Sequence, residues 1–340
     1  MTNLKWAMVG TGFMAQLILA DFAQADNTEL YALVSRDAAK AKARLEEFSI
    51  SAKALTFEQA LADEAIDVIY VASPHSEHFP MAKAALQAGK HVLVEKAFTL
   101  DAAEAKELAS LAKSKNLFLM EAMWTKFLPL HKAVKKMIEN KEIGELVSIE
   151  AHFGMNAPFN NDHRLFNHEL GGGTTLDQGV YTSTVNRWWA DSPIKSVEVK
   201  YMKRNELSPD KLLEPILALL ETESGALATV EMNVSVQFGY QVKTEAVFQR
   251  GIAEIGRTSG MTLFADGAIA TAEHMSFKTR FAAAYDQQIQ RWVNAVAKGT
   301  IDGPSAWDGY LAAAAVDDLP DEAGAADALE LELDGRLVLV

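Results

Sequence analysis

The chain has 340 residues, 49% apolar and 23% charged, which is enough for two domains with their own cores. A net charge of −14 argues against a nucleic-acid partner, and the lack of cysteine excludes disulfides and thiolate chemistry. No apolar run approaches the roughly 20 residues of a membrane span, so no membrane association is expected.

The N-terminus enters a strand pattern almost at once, leaving no room for a signal peptide, so a cytoplasmic location is expected. Lys5 to Val9 reads as a buried strand, followed by Gly10-Thr11-Gly12 and a helical stretch to about Ala25. Leu30 to Ser35 reads as a second strand, and Asp37 to Phe48 as a helix that Asp37 caps. Asp67 to Ala72 and His91 to Glu95 are further apolar runs of strand length, and the segment between them has helical spacing that stops at Gly89. Asp101 and Glu104 have capping-box spacing for the next helix, and Leu117 to Met120 gives another strand. Alternation of this kind predicts a parallel, doubly wound sheet over residues 1–122.

Beyond residue 122 the pattern changes to longer strands joined by short turns. Examples are Leu146 to Phe153, Ile194 to Met202, Pro215 to Glu221 with Leu227 to Val234 around Glu223-Ser-Gly225, and Val242 to Phe248 with Ile252 to Ile255 around Gly251. Residues 123–340 are therefore expected to form an α+β domain on a large, mainly antiparallel open sheet. The last stretch, from Asp317, ends in an apolar run that reads as an extra strand or an interaction segment.

Gly10-Thr11-Gly12-Phe13-Met14-Ala15 is the G-x-G-x-x-A form of a dinucleotide fingerprint, set between a strand and a helix as that chemistry requires. The first glycine permits the turn, and the second lets the backbone approach a pyrophosphate at the helix N-terminus. At the end of the second strand, Ser35 and Arg36 suit the 2′-phosphate of NADP(H), whereas NAD(H) sites offer a carboxylate. NADP(H) is favoured over NAD(H), with Asp37 assigned to helix capping.

Together with Ser73-Pro74-His75-Ser76-Glu77-His78, Glu95-Lys96, and Gly171-Gly-Gly-x-x-x-Asp177-x-x-x-Tyr181, these motifs resemble the Gfo/Idh/MocA oxidoreductases from residue 4 to about 316. Met120-Glu-Ala-Met-Trp124-Thr-Lys-Phe127 resembles the dihydrodiol dehydrogenase and glucose–fructose oxidoreductase-like branch, and Pro304-Ser-x-x-Asp308-Gly309 the inositol dehydrogenase branch. The resemblance implies a Rossmann domain, a C-terminal open sheet with a substrate pocket between the two, and a homodimer or homotetramer assembled through that sheet.

It also implies that Lys96 is the lysine of the family's E-K-P motif, with Ala97 here in place of the proline, and that Tyr181 stands where the family has its catalytic Tyr or His. Asp177 lies one helical turn before it. A tyrosine, with an unperturbed pKa of about 10, is a poor base until a neighbouring ammonium favours its phenolate. Tyr181 is thus expected to exchange the proton, Lys96 to orient the reacting oxygen and tune that pKa, and Asp177 to bind substrate hydroxyls or orient the pair, with proton transfer by Lys96 itself as the alternative. Glu95 reads as support for the lysine, and Ser73, Pro74, His75 and His78 as the loop beside the nicotinamide. Trp124, Phe153 and Phe159 are candidates for lining a pocket of sugar size. His152 reads as a sheet residue facing cleft or core, Trp188 and Trp189 as packing, and no metal site is expected at His163 and His168.

The expected activity is hydride transfer between nicotinamide and a secondary alcohol or carbonyl of a cyclic polyol, sugar or dihydrodiol. An NAD-linked inositol 2-dehydrogenase and a cofactor-binding regulator on the same fold are the alternatives.

Overall fold

Six strands form a parallel sheet in the order β3-β2-β1-β4-β5-β6, the doubly wound arrangement expected of the N-terminal half. They are β1 (Leu4–Val9), β2 (Thr28–Val34), β3 (Lys53–Leu55), β4 (Val68–Val71), β5 (His91–Glu95) and β6 (Leu119–Ala122). The structure is a computed structural model that describes residues 3–19, 22, 25–155, 160, 162–203, 213–233, 241–256, 260–273, 289 and 330–332. The central strands read as continuous apolar runs because both faces are covered: Val92, Leu93 and Val94 are all 0% exposed. Helices α1 (Phe13–Ile18), α2 (Ala38–Glu47), α3 (Phe57–Ala62), α4 (His78–Gln87) and α5 (Ala102–Lys115) belong to this half.

Local chemistry explains several boundaries. Asp37 caps α2, accepting the backbone N–H of Ala39 at 3.0 Å, as expected. Asp101 accepts from the N–H of Glu104 at 2.8 Å, but the Glu104 carboxylate returns to Leu100 instead of the cap residue. The full reciprocal box occurs at α3, between Thr56 and Gln59.

The chain divides into two compact units, residues 1–127 with 281–313 and residues 128–280 with 314–340. Ile289, which the sequence division puts in the second domain, is packed in a core of the first unit with Trp6, Ile18 and Tyr70.

In the second unit, nine strands run in the order β14-β13-β12-β11-β7-β10-β9-β8-β15. They are β7 (Leu146–Gly154), β8 (Ile194–Lys203), β9 (Leu213–Thr222), β10 (Leu227–Asn233), β11 (Gln241–Phe248), β12 (Gly251–Gly256), β13 (Gly260–Ala265), β14 (Ala268–Ala272) and β15 (Glu330–Glu332). All pairs are antiparallel except β7 with β10. A short strand in the last stretch, β15, pairs with β8, whereas the apolar run that ends the chain lies outside the described residues. Gly251 opens β12, so the turn before it is Gln249-Arg250 and not the glycine itself.

One face of this sheet packs on α6 (Pro129–Glu139) and α7 (Val180–Ala190), around Ile149, Trp189, Ala218, Val230, Ala246 and Ile255. His152 is not on the core face of the sheet. It alternates with buried Ala151 and bonds Glu231 at 2.8 Å on the outward face, with Glu150 at 3.7 Å. Trp189 is fully buried and Trp188 packs against the same core, as expected of packing residues. No helix among the described residues is long and apolar enough to cross a membrane.

Candidate active site

In the first unit the order of strands reverses between β1 and β4, and ligands of open α/β sheets bind outside the carboxyl ends of strands at such a point. The Gly10–Gly12 turn follows β1 and runs into α1 at Phe13 and Met14, and the Ser73–His78 segment follows β4. Gly10 has φ +119°, and a Cβ there would lie 2.4 Å from the Ala72 carbonyl oxygen, so glycine is demanded by the protein itself.

Gly12 is different. Its φ is −80°, which any residue adopts, and a Cβ would meet no protein atom within 4 Å. It is also the N-cap of α1 and supplies no side-chain cap. Neither backbone conformation nor packing explains a glycine here. Close approach of a ligand to the helix N-terminus would account for it, and the phosphates of a dinucleotide would suit both the donors and the dipole. Arg44 of α2 steadies the loop by donating to the Thr11 carbonyl at 3.2 Å.

Ser35 and Arg36 follow β2, where a dinucleotide presents its adenosine ribose. The Asp37 carboxylate is engaged as the helix cap, and its own N–H donates to the Ser35 hydroxyl oxygen at 3.2 Å.

Glu95 ends β5 and is 4% exposed; its carboxylate accepts from the hydroxyl of Tyr70, a fully buried residue of β4. This answers the cost of burying an acid at a strand end. The Lys96–Ala97 peptide bond is cis. His78 is fully buried, with Nδ1 2.6 Å from the Ala97 carbonyl oxygen and Nε2 3.0 Å from that of Ser73. The His75 ring is edge-on to it at 5.5 Å between centroids. Trp124 packs partly buried against the first unit's core, so it has a packing role whatever else it lines.

In the second unit, Asp177 sits in a π-helical turn, Thr175–Gly179, that runs into α7 instead of on a continuous α-helix as expected. Such turns recur at functional sites because they re-aim side chains. Asp177 is 6% exposed, and its two oxygens accept from Arg164 Nη1 at 2.9 Å and Gln178 Nε2 at 3.2 Å.

The three glycines before it have a geometric reason. Gly171 and Gly173 have φ of +73° and +126°, and a Cβ on Gly172 would lie 2.5 Å from the Arg164 carbonyl oxygen. The close approach seats the Arg164-bearing turn against the segment that carries Asp177. Tyr181, in the first turn of α7, is stacked on Phe153 of β7, with centroids 5.1 Å apart and planes within 9°. Phe153 therefore orients the tyrosine. Phe159 lies outside the described residues.

Tyr70 and Arg164 were not anticipated. A tyrosine within the aliphatic strand DVIYVA needed a hydroxyl partner, and that was the available signal. Arg164 lies in an irregular segment with no periodicity to mark it.

Comparison with known proteins agrees with this geometry. Residues 4–123 match the family described as GFO/IDH/MocA, oxidoreductase family, NAD-binding Rossmann fold, and residues 131–254 match the GFO/IDH/MocA C-terminal domain. The chain is 39% identical over 320 residues to an inositol 2-dehydrogenase of Corynebacterium glutamicum, covering 92% of this chain and 91% of that protein. It is also 39% identical over 205 residues to D-xylose 1-dehydrogenase (NADP(+)) of Hypocrea jecorina, covering 54% and 52%. The crystal structure of aldose-aldose oxidoreductase from Caulobacter crescentus superposes with a TM-score of 0.82 at 22% identity, covering 92% of this chain and 94% of the other. A glycine loop at the switch point, a lysine directly after β5 and sequence matches to both domains lead to one conclusion: the chain belongs to the Gfo/Idh/MocA family and is a nicotinamide-dependent oxidoreductase of CH–OH groups.

Proposed function

We propose that the protein interconverts a secondary alcohol and a ketone on a cyclic polyol or sugar, with NADP(H) as the favoured cofactor. Tyr181 is the proton donor and acceptor, Lys96 orients the reacting oxygen, and Asp177 binds substrate hydroxyls. When bound, the nicotinamide ring takes or returns the hydride at the carbinol carbon. Oxidation then requires the substrate hydroxyl to give up its proton as the carbonyl forms, and reduction requires that proton back.

The observation that carries this assignment is the setting of Tyr181. Its ring is held flat on Phe153, one residue into the helix that follows the buried, Arg164-paired Asp177. The similarity to an inositol 2-dehydrogenase and a D-xylose dehydrogenase supports a ring polyol or sugar, with inositol the first substrate to test. Support for NADP(H) comes from Ser35, Arg36 and the commitment of Asp37 to its cap, and the D-xylose enzyme carries NADP(+) in its name.

A Lys96→Met variant tests the assignment. It is expected to bind NADPH as the wild type does, by fluorescence, while kcat falls about a hundredfold or more on inositols and aldoses. A wild-type protein that binds NADPH but turns over no member of that panel overturns the enzymatic reading. Lys96→Met with undiminished kcat removes the lysine from the chemistry.

A further inference from the structure

We propose that His78 is held as an imidazolium and is a positioning residue for Lys96, donating through both ring nitrogens to the two loops that flank the nicotinamide site. The proposal rests on the reading of Lys96 given above. A backbone carbonyl oxygen only accepts, and a neutral imidazole has a single N–H. Yet both nitrogens of His78 lie at hydrogen-bonding distance from a carbonyl oxygen, Nδ1 2.6 Å from Ala97 and Nε2 3.0 Å from Ser73. In either neutral tautomer one of these contacts sets a nitrogen lone pair against an oxygen lone pair. Protonation converts both into donated bonds.

Burial opposes the charge, since His78 is 0% exposed. Two carbonyl dipoles directed at the ring offset that cost. Its ring neighbour is His75, edge-on at 5.5 Å. Glu95, two residues before Ala97, is also buried, with its carboxyl group engaged by the Tyr70 hydroxyl.

The consequence is mechanical. Ala97 directly follows Lys96, and Ser73 leads into Pro74 and His75 after β4. One ring with two donors thus ties the turn that presents the lysine to the loop on the neighbouring strand. A neutral ring, with one donor, ties down only one of them.

Long-range ¹H–¹⁵N spectra of the full chain, labelled on its eight histidines, read the protonation state directly. The signal absent from a His78→Gln variant identifies the residue. The expected result is a pair of protonated ring nitrogens at pH about 8, where exposed histidines are neutral. A neutral-tautomer pattern at that pH overturns the proposal.

In activity assays His78→Gln is expected to lower kcat about tenfold or more, with NADPH affinity changed far less, because a displaced catalytic group costs rate. Unchanged kcat overturns the positioning role. The spectra need no substrate, and where His78→Gln does not fold, ring-to-backbone correlations of the uniformly labelled wild type assign the His78 signal among the eight histidines. Doubly protonated His78 in a protein without turnover would sink the enzymatic reading alone, and neutral His78 in an active enzyme would sink this proposal alone.

Discussion

Under the proposed preference for NADP(H), three consecutive side chains after β2 would choose the cofactor. Ser35 receives the Asp37 N–H, Asp37 caps α2, and Arg36 between them carries the positive charge. A charge-assisted bond to a 2′-phosphate is worth about 1.5–3 kcal/mol, so Arg36→Ala should weaken NADP⁺ binding by about 10- to 100-fold. NAD⁺, lacking that phosphate, should be affected less than about threefold. Titrating both cofactors against wild type and variant checks this, and equal losses for the two would show that Arg36 does not read the phosphate. The role of Asp37 was legible because capping is a local rule, written within three residues of sequence. Tyr70 and Arg164 act on Glu95 and Asp177 across 25 and 13 residues, through a strand pairing and a glycine contact, and neither relation is written locally.

At the scale of elements, the glycine loop separates two reasons for the same residue. Gly10 is required by the protein, since its φ is +119° and a Cβ would collide with the Ala72 carbonyl where β1 meets β4. Gly12 has neither constraint. Gly10→Ala should therefore destabilise the fold by about 2 kcal/mol or more, combining backbone strain with the clash. Gly12→Ala should melt within a degree or two of wild type, because alanine at a helix start costs only tenths to about 1 kcal/mol, and yet lose cofactor affinity severalfold to a hundredfold. Thermal melts with and without NADPH separate the cases, and a Gly12→Ala protein with wild-type affinity would refute the phosphate assignment. The strand–loop–helix order around these glycines was readable because each element follows its own period. The β13–β14 hairpin was missed although Asp266-Gly267 marks it, with φ of +50° and +80° at the turn. Its flanking strands were not recognised because β14 is made mostly of alanine, whose side chains give almost no apolar alternation.

For the whole molecule, the open question is what meets the outward face of the second unit's sheet. Strand register aligns Leu227, Ser148, Val247, Ile252, Phe264 and Ile269 in one row across six strands, opposite the buried Ala228, Ile149, Ala246 and Ala253. Leu227, Phe264 and Ile269 are 46%, 43% and 69% exposed, an apolar line that isolated monomers rarely leave to water. The next rows carry Glu150, Glu245 and Glu254, then Glu231, His152 and Lys243, already joined as His152–Glu231, Lys243–Glu245 and Lys243–Glu254 pairs. Charges satisfied within the chain cost less to cover than unpaired ones. The occupant we expect is a second copy of this chain, since a two-fold axis would set the same apolar row against itself. Light scattering of the wild type should then give at least twice the mass of one chain. Phe264→Glu, by placing an unpaired carboxylate in the contact, should cost on the order of 3 kcal/mol, about a hundredfold in the dissociation constant. The variant should elute as a folded monomer at micromolar concentration, because position 264 is half-exposed in the single chain and tolerates a charge there. A monomeric wild type, or a variant that keeps its partner, would exclude this face as the contact between copies.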